Sequence, residues 1–173
     1  QVREVLYVDT ERRELFFQAG GQVVGRDPYY LSICRVNIDT GDITLLASSD
    51  HEYTVLGGSQ TMVSLFRPAF DPDWQLNTTG ISPNACYIVA TRSRADQEPV
   101  SLLLDREGKV LLELETADTS GLPKNWQWPE PVKLLAADDK TDIYGTVFRP
   151  SDFKPDTQYP VIDVSICMAL LAS

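Results

Sequence analysis

The sequence predicts a mainly β chain, built from two four-stranded antiparallel units of the kind that form β-propeller blades. Three observations predict it. Short runs of Val, Ile, Leu, Tyr and Phe recur along the chain, each broken by Gly, Pro, Asp or Asn, which is the composition of strands and tight turns. No stretch keeps a helical period of apolar residues for three turns. An internal repeat is visible: 27–46, "DPYYLSICRVNIDTGDITLL", and 96–114, "DQEPVSLLLDREGKVLLEL", both run acid, proline, strand, Asp, turn glycine, strand. Repetition of one such unit is how propellers are built.

The first unit spans about 3–48, with strands expected near 3–8, 14–18, 30–36 and 43–48. The second spans about 54–115, with strands near 61–66, 86–91, 100–104 and 110–115. Their closing hairpins turn at Asp39-Thr40-Gly41 and at Asp105-Arg106-Glu107-Gly108. Aspartate can bond the turn backbone with its carboxylate, and glycine supplies the positive φ that a tight turn needs. The segment "RPAFDPDWQLNTTG" inside the second unit reads as a surface loop. Residues 116–131 hold three prolines and few core candidates, as a linker would. Residues 132–149 then form two strand-like runs around an acidic turn, ended by Pro150, which has no N–H to donate. After it, "YPVIDVSI" is nearly continuous in apolar β-formers, the pattern of a strand buried on both faces.

At 173 residues, 43% hydrophobic and 23% charged, the chain can bury a core and fits one domain or pieces of two. A net charge of −10 argues against non-specific binding to nucleic acid or anionic membrane surfaces. No apolar run approaches the ~18 residues of a membrane-spanning helix. Cys34, Cys86 and Cys167 are far apart and His51 is the sole histidine, so the four-ligand spacing of a structural zinc site is missing and no metal or cofactor is expected. The thiols read as buried and free, with a Cys34–Cys86 bridge left open for an exported protein.

Several residues invite sharper readings. Asp39-Thr40-Gly41 matches the aspartic protease triplet, but Asp42 follows it and no second copy exists, so the turn reading carries more weight. His51 is flanked by Asp50 and Glu52 but has no identifiable nucleophile, and it reads as a loop or turn histidine. Trp126 and Trp128 could form an aromatic shelf, or pin the linker against a domain. Asp138, Asp139 and Asp142 lack the spacing of a calcium loop and read as a solvated turn. Asn77-Thr78-Thr79 has the form of a glycosylation acceptor.

The segment "ADDKTDIYGTVFRPSDFKPDTQYPVID" resembles the junction where the dipeptidyl peptidase IV branch of the prolyl oligopeptidase family passes from its β-propeller into its α/β-hydrolase domain. "ISPNACYIVATRSRADQEPVSLLLDREGKVLLELE" resembles the last propeller blade of that branch, and "DPYYLSICRVNIDTGDITLLAS" the blade before it. "SPNA" stands where the branch usually has a Ser-Pro-Asp-Gly turn. The resemblance implies three parts: propeller blades over 1–115, a linker over 116–131, and the first strands of a hydrolase domain over 132–173. It also implies a serine peptidase that acts on short peptides, often after proline, through a Ser-Asp-His triad.

That triad does not map onto this chain, so no catalytic, cofactor-binding or metal-binding residue is assigned. A nucleophile of this class sits in G-x-S-x-G, a strained turn that exposes its hydroxyl. The nearest string, Gly57-Gly58-Ser59-Gln60-Thr61, lacks the closing glycine and lies in the propeller part. The sequence reading is therefore a fragment of such a peptidase, silent by itself, whose intact parent takes a peptide substrate. A non-catalytic propeller-type binding or assembly module of the same descent is the alternative, and a homo-oligomer stays open.

Overall fold

The structure, a computed structural model, describes residues 1–55 and 80–164. Among them every regular element is a β-strand. The first sheet contains β1 (Val2–Asp9), β2 (Glu14–Ala19), β3 (Ser32–Asn37) and β4 (Ile43–Ala47), in sequence order and antiparallel throughout. The second contains β5 (Glu52–Val55), β6 (Tyr87–Arg94), β7 (Gln97–Asp105) and β8 (Val110–Thr116), with the same order and the same sense. This is the expected pair of four-stranded blades. A two-stranded ribbon follows, β9 (Glu130–Leu135) with β10 (Asp142–Val147).

Two differences from the sequence expectation stand out. The first strand of the second blade is Glu52–Val55, while the strand expected near 61–66 lies outside the described residues. Glu-Tyr-Thr-Val is short, yet its alternation is that of a half-buried strand, with Tyr53 and Val55 buried. Residues 160–164, expected to begin a buried strand, carry no strand, and Val161, Ile162 and Val164 are exposed. β-Formers alone do not make a strand, which needs ladder partners and a covering layer.

The core lies between the two sheets. Leu6, Phe16, Ile33 and Leu46 of the first meet Tyr53, Val55, Ile88, Ala90, Val100, Leu102 and Leu104 of the second. Register explains the choice. Ile88 pairs with Leu104, Ala90 with Leu102 and Arg92 with Val100, so the alternate residues of β6 and β7 share the face toward the first sheet. A smaller cluster of Phe17, Ala19 and Cys34 sits on the opposite face of the first sheet. Cys34 and Cys86 are both free thiols. The bridge left open by the sequence is not made, since Cys34 belongs to that opposite face while Cys86 lies beside the turn that docks from the second sheet.

The two blade hairpins close in related ways. Gly41 (φ +76°) and Gly108 (φ +84°) take the left-handed conformation at the turns. A Cβ on Gly108 would also collide with the Leu46 backbone of the neighbouring sheet, so this glycine is needed twice over. Asp105 Oδ1 accepts from the Glu107 and Lys109 amides, as expected of a turn aspartate. In the first hairpin that role falls to Asn37, whose Oδ1 accepts from the Asp39 and Thr40 amides. Asp39 instead faces sideways and pairs with Arg13 of the β1–β2 turn at 2.7 Å.

Candidate functional site

Two polar constellations stand out among the described residues. The first ties the blades together. Arg106, one residue into the β7–β8 turn, reaches across to the first sheet. It donates to Asp9 Oδ2 at 3.1 Å, to Glu14 Oε2 and to the Ala85 carbonyl at 2.9 Å. Its guanidinium also lies over the Phe16 ring, 5.2 Å from the centroid. Asp9 is nearly buried and also accepts from the Arg12 backbone amide and side chain. Hydrogen bonding from Arg12 and the positive charges of Arg106 and Arg12 hold its carboxyl below the usual range, against the opposing effect of burial. The turn Ser82-Pro83-Asn84-Ala85 docks beside it: the Tyr7 hydroxyl donates to the Pro83 carbonyl at 2.7 Å, and Ser82 Oγ accepts from the Cys86 and Tyr87 amides. Ala85 stands at φ +53° in that turn, a conformation that favours glycine.

The second constellation is a cavity of 790 Å³ between the ends of the blades and the β9–β10 ribbon. Asp27, Tyr29 and Tyr30 come from the β2–β3 loop. Asp50 comes from the crossover and Glu52 opens β5, Arg94 ends β6 and Asp96 lies in the β6–β7 turn, and Lys133 and Tyr144 come from the ribbon. Arg94 forms ion pairs with Asp96 at 2.6 Å and with Asp50 at 2.9 Å. The bond to Arg94 draws the Asp96 carboxyl down and raises Arg94. Burial, together with the charge of Asp27, pushes Glu52 up. Lys133 is held by Asp142 at 2.8 Å and lies 5.6 Å from the Tyr144 ring centroid. Behind the wall, the buried Arg26 side chain donates to the Ser49 and Tyr30 carbonyls and to Ser32 Oγ, each at 2.7 Å. It fastens the β2–β3 loop to the crossover.

The residues singled out from sequence fall as follows. His51 does have a hydroxyl within reach: Ser49 Oγ is 3.0 Å from Nδ1, and Gln97 Oε1 is 3.1 Å from Nε2. Sequence reasoning missed this partner, although Ser-x-His spacing was there to be read. The group that orients the ring is a neutral amide and not a carboxylate, and Ser49 Oγ is also 2.7 Å from the Tyr53 hydroxyl. Neither Ser49 nor His51 lines the cavity. The contact fastens the crossover to the start of β7 and lacks the acid of a hydrolytic triad. Asp39 is paired with Arg13, which draws its carboxyl down, and among the described residues no second carboxylate shares a proton with it as an aspartic protease would require.

Trp126 and Trp128 stack edge to face on one another, 6.2 Å apart and half exposed. Asp138 caps the β9–β10 turn by accepting from the Lys140 and Thr141 amides and the Thr141 hydroxyl, which lowers its pKa to about 2. No group of three metal-ligating side chains occurs among the described residues. No helix long and apolar enough to cross a membrane occurs among the described residues. Ser59, Asn77 and Cys167 lie outside the described residues.

No family profile and no curated protein matches the chain. Among solved structures it is similar to a Bacteroides ovatus protein provisionally named a dipeptidyl aminopeptidase IV, at 23% identity and a TM-score of 0.58. The likeness covers 92% of this chain and 19% of that one. The chain thus has a β-propeller-type fold and spans about a fifth of the length of that neighbour.

Proposed function

We propose that the chain supplies two adjoining propeller blades, and the ribbon that leads into a hydrolase domain, of a serine peptidase of the dipeptidyl peptidase IV kind. Its own part is architectural. The blades and the ribbon wall a cavity large enough for a short peptide, while the nucleophile, base and acid come from elsewhere in the parent protein. The observation that carries this reading is the likeness of 92% of the chain to part of a protein bearing that name. The boundaries at 1–115, 116–131 and 132–173 belong to the proposal. Their support is that β8 ends at Thr116 and β9 begins at Glu130, each within two residues of an inner limit.

The test is hydrolysis. The purified 173-residue chain should not turn over proline-containing chromogenic dipeptides, because the serine–histidine contact among the described residues lacks an acid. Turnover that survives repurification and disappears in both Ser49→Ala and His51→Ala would defeat the proposal. The same silence is expected of a non-catalytic module. The downstream reading frame separates the two: a G-x-S-x-G string followed by Asp and His belongs to the peptidase.

A further inference from the structure

The crossover from the first blade into the second turns tightly at Ser49. The Ser49 carbonyl accepts from the His51 amide and from Arg26 Nη1, each at 2.7 Å. Arg26 is buried, so this backbone is fixed from inside the protein while Ser49 itself stays exposed. Alternation then brings Ser49, His51 and Tyr53 together: Ser49 Oγ lies 3.0 Å from His51 Nδ1 and 2.7 Å from the Tyr53 hydroxyl. Tyr53 belongs to the core, which anchors the group.

Gln97 decides where the protons sit. Its Oε1 accepts and cannot donate, so His51 Nε2, 3.1 Å away, carries the ring proton and Nδ1 is left as a base. The Ser49 hydroxyl then donates to Nδ1. That uses the serine's one proton, so in the contact with Tyr53 the phenol is the donor. Ser49 Oγ keeps one lone pair free. Asp50 and Asp96 are held by Arg94, and Glu52 lines the cavity, which leaves the Gln97 amide as the group behind the ring.

We propose that Ser49 is an activated nucleophile that takes an acyl group from an electrophilic ester, with His51 as general base and Gln97 as the positioning residue. A neutral amide suffices to orient an imidazole, as the asparagine does in Cys-His-Asn sites. Ser49 Oγ bonds to the ester carbonyl carbon as His51 Nδ1 takes the hydroxyl proton. The ester C–O bond then breaks, and the leaving phenol or alcohol receives that proton. With no carboxylate to stabilise the imidazolium, the second half, attack by water on the acyl-serine, is slow. The expected product is therefore one stable acyl group per chain and not turnover. The inference does not depend on the peptidase reading, whose test is hydrolysis and not labelling.

The test treats the 173-residue chain with 4-nitrophenyl acetate and locates acetyl groups by peptide mass mapping over time. Ser49 should be acetylated well ahead of the exposed serines Ser120 and Ser151, which stand in the same chain as controls. His51→Ala should slow the acetylation of Ser49 by roughly 10²-fold, the low end for a general base. Gln97→Glu puts a carboxylate behind Nε2 at an exposed position and should speed it, an effect that a merely structural contact would not give. Circular dichroism should be unchanged in both variants. Acetylation of Ser49 at the pace of Ser120 and Ser151 would overturn the proposal. So would a rate unmoved by His51→Ala, or one no higher in Gln97→Glu than in the wild type, since either leaves the contact a fastening alone.

Discussion

Arg106 Nη2 stands 3.1 Å from Asp9 Oδ2, joining residues 97 positions apart in sequence and one sheet apart in space. Both side chains are largely removed from water, and Glu14 and the Phe16 ring complete the setting. Truncating Arg106 would remove the cation that Asp9 and Glu14 share, leaving Asp9 with Arg12 at 3.0 Å and Glu14 with Arg35 at 3.6 Å. Arg106→Ala should therefore cost about 1.5–3 kcal/mol, the range for losing hydrogen bonds to charged groups. Arg106→Lys keeps a charge but loses the forked geometry, and should fall between. Urea midpoints at constant m-value provide the check. An unchanged Arg106→Ala midpoint would mean that the pair contributes nothing to blade stacking.

The two closing turns give a contrast that sequence did not foresee. Asn37→Ala and Asp105→Ala each remove a side chain that accepts from two turn amides, and each should cost about 0.5–2 kcal/mol, by analogy with other local side chain to backbone bonds. Asp39→Ala removes only an exposed ion pair and should have the smallest effect of the three. Denaturant midpoints for the three variants decide the order. If Asp39→Ala were the most damaging of the three, the assignment of the turn cap to Asn37 would be wrong.

What was legible in the sequence was whatever depends on local chemistry. Glycine at Gly41 and Gly108 announced the hairpins, because few other residues tolerate that φ. Alternation announced β6 and β7, whose inward residues are the core. What failed was whatever depends on a neighbour. Asp39 was expected to bond its own turn, but Arg13 stands beside it, and a sequence does not say which of two polar side chains turns inward. β5 is four residues long and gains its identity from pairing with β6. "SPNA" hides a positive φ at Ala85, because alanine gives no signal for it. The cavity was not legible at all. Its walls come from 25–30, 50–52, 93–96, 131–133 and 144–146, which only the fold brings together.

The β9–β10 ribbon should respond to acid through Asp138. Its folded pKa is lowered to about 2 by the Thr141 hydroxyl and the Thr141 and Lys140 amides. A depressed carboxyl contributes stability that is present above its unfolded value, close to 3.9 for aspartate, and is lost as pH falls through the folded value. The contribution should therefore be complete above about pH 4–5 and fade between about pH 4 and pH 2. Amide exchange at Lys140 and Thr141 should accelerate over that window in the wild type. Asp138→Ala should show fast exchange at those amides throughout and no such step. A wild-type step centred well above pH 4 would assign the transition to another group.

Native-state hydrogen exchange tests most directly the claim that the two blades form one unit with a shared core and that the ribbon is an appendage to it. Phe16, Ile33, Ile88 and Leu102 are fully buried, and two come from each blade. Their amides should open with one common free energy and one common denaturant dependence, as members of a single cooperative unit do. Amides in 130–147 should exchange faster, as expected of an exposed two-stranded ribbon, and those in 160–164 faster still. Separate opening energies for the two blades would contradict the account, as would strong protection of 160–164 in a dilute monomer.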